Sequence, residues 1–122
     1  MEFEIFEQVV KEILKTIPEK YLRILKEEAI EIICREKVPD VLQENYPCKI
    51  IFGIFAGTSK KDKNSFGIHF QPTRIEIYKE SFEKVFGKEI NPLMKDQILK
   101  TLIHEMAHHF GFNEEKIREI GY

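Results

Sequence analysis

No apolar run in this 122-residue sequence approaches the ~20 residues needed to span a membrane. Met1-Glu2-Phe3-Glu4 also lacks the basic stretch and apolar segment of a secretory leader. Both absences lead to the expectation of a cytoplasmic protein that makes no use of a membrane. Cysteine is scarce, with Cys34 and Cys48 the only two. Neither belongs to a Cys-x-x-Cys pair, which argues against a zinc ribbon or a dithiol redox motif. Two buried thiols, not a disulfide, are expected in that compartment. Charge of one sign is also lacking. Nineteen Lys and Arg against 21 Asp and Glu leave a net charge of −2, with no excess of cations to hold nucleic acid. There is no repeat, low-complexity tract or linker, so a single domain over 1–122 is expected. With 43% hydrophobic and 33% charged residues, the composition is that of a folded chain and not a disordered one.

The apolar periodicity assigns most elements. Phe3, Phe6, Val9, Val10, Ile13, Leu14 and Ile17 recur at helical steps. Pro18 then opens a second helical stretch to about Lys26, as a first-turn proline. Ala29 to Arg35 is rich in β-branched residues and favours a strand. Pro39-Asp40 breaks it, and Val41 to Asn45 suits a short helical turn. Ile50 to Gly57 carries two glycines and reads either as a buried strand or as a turn where the backbone lies close to another group. Thr58 to Gly67, with Lys60, Lys61 and Lys63, reads as a solvated loop. Arg74 to Tyr78 alternates and predicts a half-buried strand; as a sheet edge, it would accept an extended peptide by main-chain pairing. Ser81 to Phe86 predicts a short helix stopped by Gly87. Asn91 as N-cap and Pro92 as first helical residue open a long helix running to about Phe110 and ending at Gly111.

That last helix carries the chemistry. Histidine is sparse, four in the whole chain, yet three of them fall at 104, 108 and 109. His104-Glu105-Met106-Ala107-His108 reads H-E-x-x-H. Imidazoles four residues apart on a helix share one face, offset by about 40°. That spacing lets both reach a single zinc ion at ~2.0–2.1 Å. Leu99, Leu102, Ile103, Met106 and Phe110 share another side, so the helix has a core face separate from its ligand face. Zinc held there would lower the pKa of water from 15.7 to about 7, and Glu105 between the histidines is placed to take its proton.

A catalytic zinc usually takes three protein ligands and leaves one position open. Gly111 permits a sharp reversal, and Glu114, six residues past His108, is the candidate third ligand; Glu115 and Asn113 are the alternatives. Read without a metal, Glu114 is a carboxylate at a helix start. His109 projects toward the core side, which suits a structural role, and no spacing ties His69 to the site. Tyr78 and Tyr122 are the candidate oxyanion donors.

Leu102 to Glu115 closely resembles the signature of the small bacterial zincin-like metallopeptidases, the minimal zincins. Phe6 to Val10 and Ile17-Pro18-Glu19 are similar to that family's opening helices, Phe52 to Gly57 to its central glycine turn, and Arg74 to Tyr78 to its last strand. The resemblance implies an α+β fold with a small sheet packed against the metal-bearing helix. It also implies one zinc ion and a peptide or protein substrate. The segment from His104 to Glu114 resembles the metzincin H-E-x-x-H-x-x-G-x-x-H as well. It departs from that pattern with Glu at 114, and only eight residues follow, too few for a Met-turn and substrate subdomain.

Two other classes compete with a zinc peptidase. His104, His108 and position 114 fall at the spacings of the bacterial endoribonucleases of ribosomal RNA maturation. Those enzymes, however, have Gly after the first His and His at the third position, where this chain has Glu105 and Glu114. The other alternative is a metal-binding or partner-binding module that keeps the site without catalysis.

Overall fold

The computed structural model describes residues 1–57 and 73–109. It is an α+β arrangement. Its elements run α1 (Phe3–Leu14), α2 (Glu19–Glu27), β1 (Glu31–Arg35), α3 (Asp40–Asn45), β2 (Gly53–Ala56), β3 (Arg74–Tyr78), α4 (Lys79–Phe86) and α5 (Pro92–His109). Among the described residues the strands form one sheet in the order β1-β3-β2, with β1 parallel and β2 antiparallel to β3.

The apolar stripe of α1 buries Phe6, Val10 and Ile13, and Ile17 follows them into the core. Pro18 lies one position earlier than predicted, as the N-cap of α2 and not its first helical residue; its carbonyl accepts the Tyr21 N–H at 2.9 Å. The predicted strand from Ala29 begins only at Glu31, because Ala29 is used in the turn that ends α2. The Ile30 N–H reaches the Leu25 carbonyl at 2.8 Å and the Ala29 N–H reaches Lys26 at 3.2 Å. That is the paired bonding of a Schellman stop, and it holds Ala29 at φ 51°.

The strand at Arg74–Tyr78 exists, but two expectations about it are corrected. It is the central strand, paired on both sides, so it offers no edge to a peptide. Nor is it half-buried: Ile75, Glu76, Ile77 and Tyr78 all have low exposure. The alternation that suggests a wet face has another cause. Ile75 and Ile77 enter the apolar core, while Glu76 on the opposite face is 3% exposed and bound by Arg35 Nε and Arg74 Nε at 2.6 Å each. Tyr78 adds its hydroxyl at 3.2 Å. A buried carboxylate is tolerable only when paired in this way.

α5 lies against β2, α1, α4 and β3. Its start is as predicted: the Asn91 side chain accepts the Met94 N–H at 2.9 Å. Met94, Ile98, Leu102, Ile103 and Met106 are each at most 1% exposed. Burying a side chain of this size contributes roughly 1.5–3 kcal/mol, so five of them fix the helix firmly and leave its other face available. The glycine segment forms a strand and not a turn, and it is partly exposed along its length where a buried strand was expected; Gly53, which begins β2, nonetheless makes the close approach expected of the backbone there. A Cβ there would lie 2.6 Å from the Glu76 carbonyl oxygen and 3.1 Å from Thr101 Cγ2 of α5.

The expectation of two buried thiols holds only in part. Cys34 is partly buried, Cys48 is exposed at φ 66°, and both are free. Cys48 falls in the irregular segment between α3 and β2. Among the described residues no helix is long and apolar enough to cross a membrane.

Candidate metal site and its cavity

His104 and His108 both lie on α5, one helical turn apart, with ring centroids 4.7 Å from each other and planes at 70°. Two imidazoles that share an ion at ~2.0–2.1 Å must be immediate neighbours, and these are. Met106 and Ala107, between them in sequence, are 0% and 3% exposed and point into the core, while His104 and Glu105 are partly exposed and His108 is exposed. The predicted division of α5 into a core face and a ligand face is therefore present. Its buried face also includes Met94 and Ile98, two turns and one turn before Leu102.

The ligand face opens into a cavity of about 390 Å³. One wall is Ile50, Ile51, Phe52 and Gly53, the segment leading into β2; the other is Gln97, Lys100 and Thr101 of α5, with His104 and Glu105 at its end. Sequence reasoning missed these lining residues, although one signal was present. Gln97, Thr101, His104 and His108 stand at helical intervals, continuing the ligand stripe back along α5. Thr101 is fixed in that stripe, its hydroxyl donating to the Gln97 carbonyl at 2.8 Å and accepting from Gln97 Nε2 at 3.2 Å. The close contact at Gly53 brings β2 near enough to form the opposing wall.

The other predicted site residues fall into two groups. Tyr78 is excluded as an oxyanion donor. It is 0% exposed and gives its hydroxyl to Glu76; burial, reinforced by the negative charge of Glu76, pushes the phenol well above its ordinary range. Glu114, Glu115, Asn113, Gly111, Phe110, Tyr122 and His69, the lysines at 60, 61 and 63, and the His109 side chain lie outside the described residues. Among the described residues no group of three His, Cys, Asp or Glu converges on one point.

The donor set present fits zinc as far as it extends. It has two imidazoles side by side, a carboxylate next to them along a cavity, and a helix anchored by its buried face. Cys34 does not compete as a reactive group. Burial, with Glu7 nearby, pushes its thiol up to about 12, and a protonated thiol is a poor nucleophile.

The family model for zincin-like metallopeptidases matches residues 28–122, from the end of α2 through the H-E-x-x-H segment to the last residue. The resemblance noted for Phe6–Glu19 lies ahead of that match. No curated protein matches the chain.

Proposed function

The chain belongs to the zincin-like metallopeptidase family, and on that footing we propose that it is a zinc-dependent peptidase acting on peptides or proteins. One observation carries the reading: His104 and His108 present adjacent rings on a firmly packed helix, and Glu105 beside them faces a cavity large enough for a substrate side chain. His104 and His108 would hold one zinc ion, with Glu114 as third ligand. Zinc bound there would polarise a scissile carbonyl and acidify water. Glu105 would take the proton from that water onto its carboxylate and pass it to the departing amine nitrogen, the work of a general base that becomes a general acid. The buried side chains of α5 hold the two imidazoles and the carboxylate in fixed relation, so little reorganisation is needed as the proton moves. The substrate would enter between Ile50–Gly53 and α5, since β3 is paired on both sides. No nucleic acid and no membrane enter this reading, and the site of action is the cytoplasm.

Elemental analysis of protein purified without added metal tests the centre. One zinc per chain is expected, with stoichiometric zinc lost in His104→Ala and in His108→Ala. Unchanged zinc affinity in Glu114→Ala would remove that residue from the ligand set. Parallel assays on unfolded protein and on structured RNA separate a peptidase from a nuclease and from an inert binder. Cleavage of RNA alone, or of neither substrate, overturns the proposed activity.

A further inference from the structure

Resting on the peptidase reading above, we propose that the cavity beside His104 is a specificity pocket for an acidic substrate side chain, selected by Lys100. The two walls differ in chemistry. Ile50, Ile51 and Phe52 form an apolar side, and the Phe52 ring is held by Phe82 at 4.7 Å and Phe86 at 6.2 Å. The α5 side is polar, and among the described lining residues Lys100 is its one cation, a single turn before His104. A glutamate side chain matches this pair of walls, with its methylenes against the isoleucines and its carboxylate at the ammonium.

Lys100 is available for the exchange. Its Nζ meets Asp96 Oδ2 at 3.0 Å, but the two side chains are 46% and 57% exposed. An ion pair so open to water contributes little, so releasing it costs little. Against the apolar wall a substrate carboxylate would be less screened than Asp96 is on the open helix surface. A basic side chain would instead meet Lys100 as a like charge.

The test uses pools of randomised hexapeptides whose central position is fixed as Glu, Gln, Leu or Lys, with binding to the wild-type chain measured by calorimetry and cleavage measured separately. The Glu pool is expected to bind about fivefold more tightly than the Gln pool at low salt, the size of one favourable ion pair. That ratio should fall to one in Lys100→Gln, persist in Lys100→Arg, invert toward the Lys pool in Lys100→Glu, and shrink in 1 M salt. Releasing Lys100 with Asp96→Asn should widen it. Equal binding of the Glu and Gln pools by the wild-type chain, or a preference that survives Lys100→Gln, overturns the pocket. Because binding is read without turnover, a preserved preference with no cleavage counts against the peptidase reading and leaves the pocket standing.

Discussion

Glu76 and Glu105 are both carboxylates attached to the sheet-and-helix core, and the fold gives them opposite surroundings. Glu76 is sealed at 3% exposure and saturated by Arg35, Arg74 and Tyr78. Burial alone would push its pKa up, but the hydrogen bonds and charges of Arg74 and Arg35 outweigh burial and hold it below the ordinary glutamate range. A carboxylate so placed is a poor proton acceptor and a good structural anchor. Glu105 lies on the wet face of α5, at a cavity and next to two histidines. The contrast is one of surroundings: three donors converging on a carboxylate make it part of the fold, while a cavity and an imidazole pair make it a candidate for catalysis.

Glu105→Gln breaks the comparison most directly. It should keep zinc and the fold but lower peptide hydrolysis by roughly 10²- to 10⁴-fold, the usual worth of a positioned general base. Elemental analysis and a cleavage assay on the same purified sample check both halves. Retained activity would place Glu105 in the structural class with Glu76.

Glu76→Gln is the reciprocal change. It leaves two guanidinium groups facing an amide. Breaking a buried ion pair costs up to ~3–5 kcal/mol, but Arg35 is 47% exposed, so a loss of about 2–3 kcal/mol is expected in urea unfolding. The pH dependence follows from the sign of the shift. Because the folded pKa is depressed, the Glu76 contribution is present above the unfolded value of ~4.3 and disappears as pH falls through the lower folded value. Wild-type stability should therefore fall below about pH 4 more steeply than that of Glu76→Gln.

The sequence made Glu105 legible and Glu76 misleading, for a physical reason. H-E-x-x-H is a local pattern, and helix geometry alone brings its residues together. The three partners of Glu76 are local only in part: Arg74 and Tyr78 flank it, but Arg35 comes from β1, 41 residues away. Alternation at Arg74–Tyr78 shows that Glu76 and Ile77 face opposite ways, but not that the polar face is dry. The same limit hid the cavity, whose walls are separated in sequence and meet only when β2 packs on α5. Caps and stops, being local, are legible at Asn91, whose side chain accepts the Met94 N–H, and at Gly87, where the φ of 97° bears out the glycine stop. Ala29 reads as strand from its neighbours because nothing in its identity announces a positive φ.

Gly53 connects the two carboxylates, since its missing side chain leaves room for both the Glu76 backbone and Thr101, one turn before Glu105. Gly53→Ala must move β2 away from rigid backbone at 2.6 Å, an overpacking cost of about 1–3 kcal/mol. The displaced wall also belongs to the cavity. Peptide affinity should therefore fall together with the urea midpoint. An alanine variant with native stability and native binding would show that the sheet and α5 are not coupled through this contact.

Ala29→Gly sets the scale against which these effects are read, because it touches neither carboxylate. Ala29 is exposed and held at φ 51° by the two bonds that stop α2. A left-handed alanine is strained by roughly 1–2 kcal/mol relative to glycine. Glycine returns part of that gain through the greater freedom of its unfolded chain, up to ~1 kcal/mol. The net expectation is a stabilisation of about 0.5 kcal/mol, or roughly 2 °C in Tm. Zinc content and cleavage should be unaltered, because the strain sits in a turn whose two stop bonds run back into α2. If relieving it also changed hydrolysis, the turn at Ala29 would be coupled to α5 across the sheet, and the division between the structural carboxylate and the candidate catalytic one would be less local than their surroundings imply.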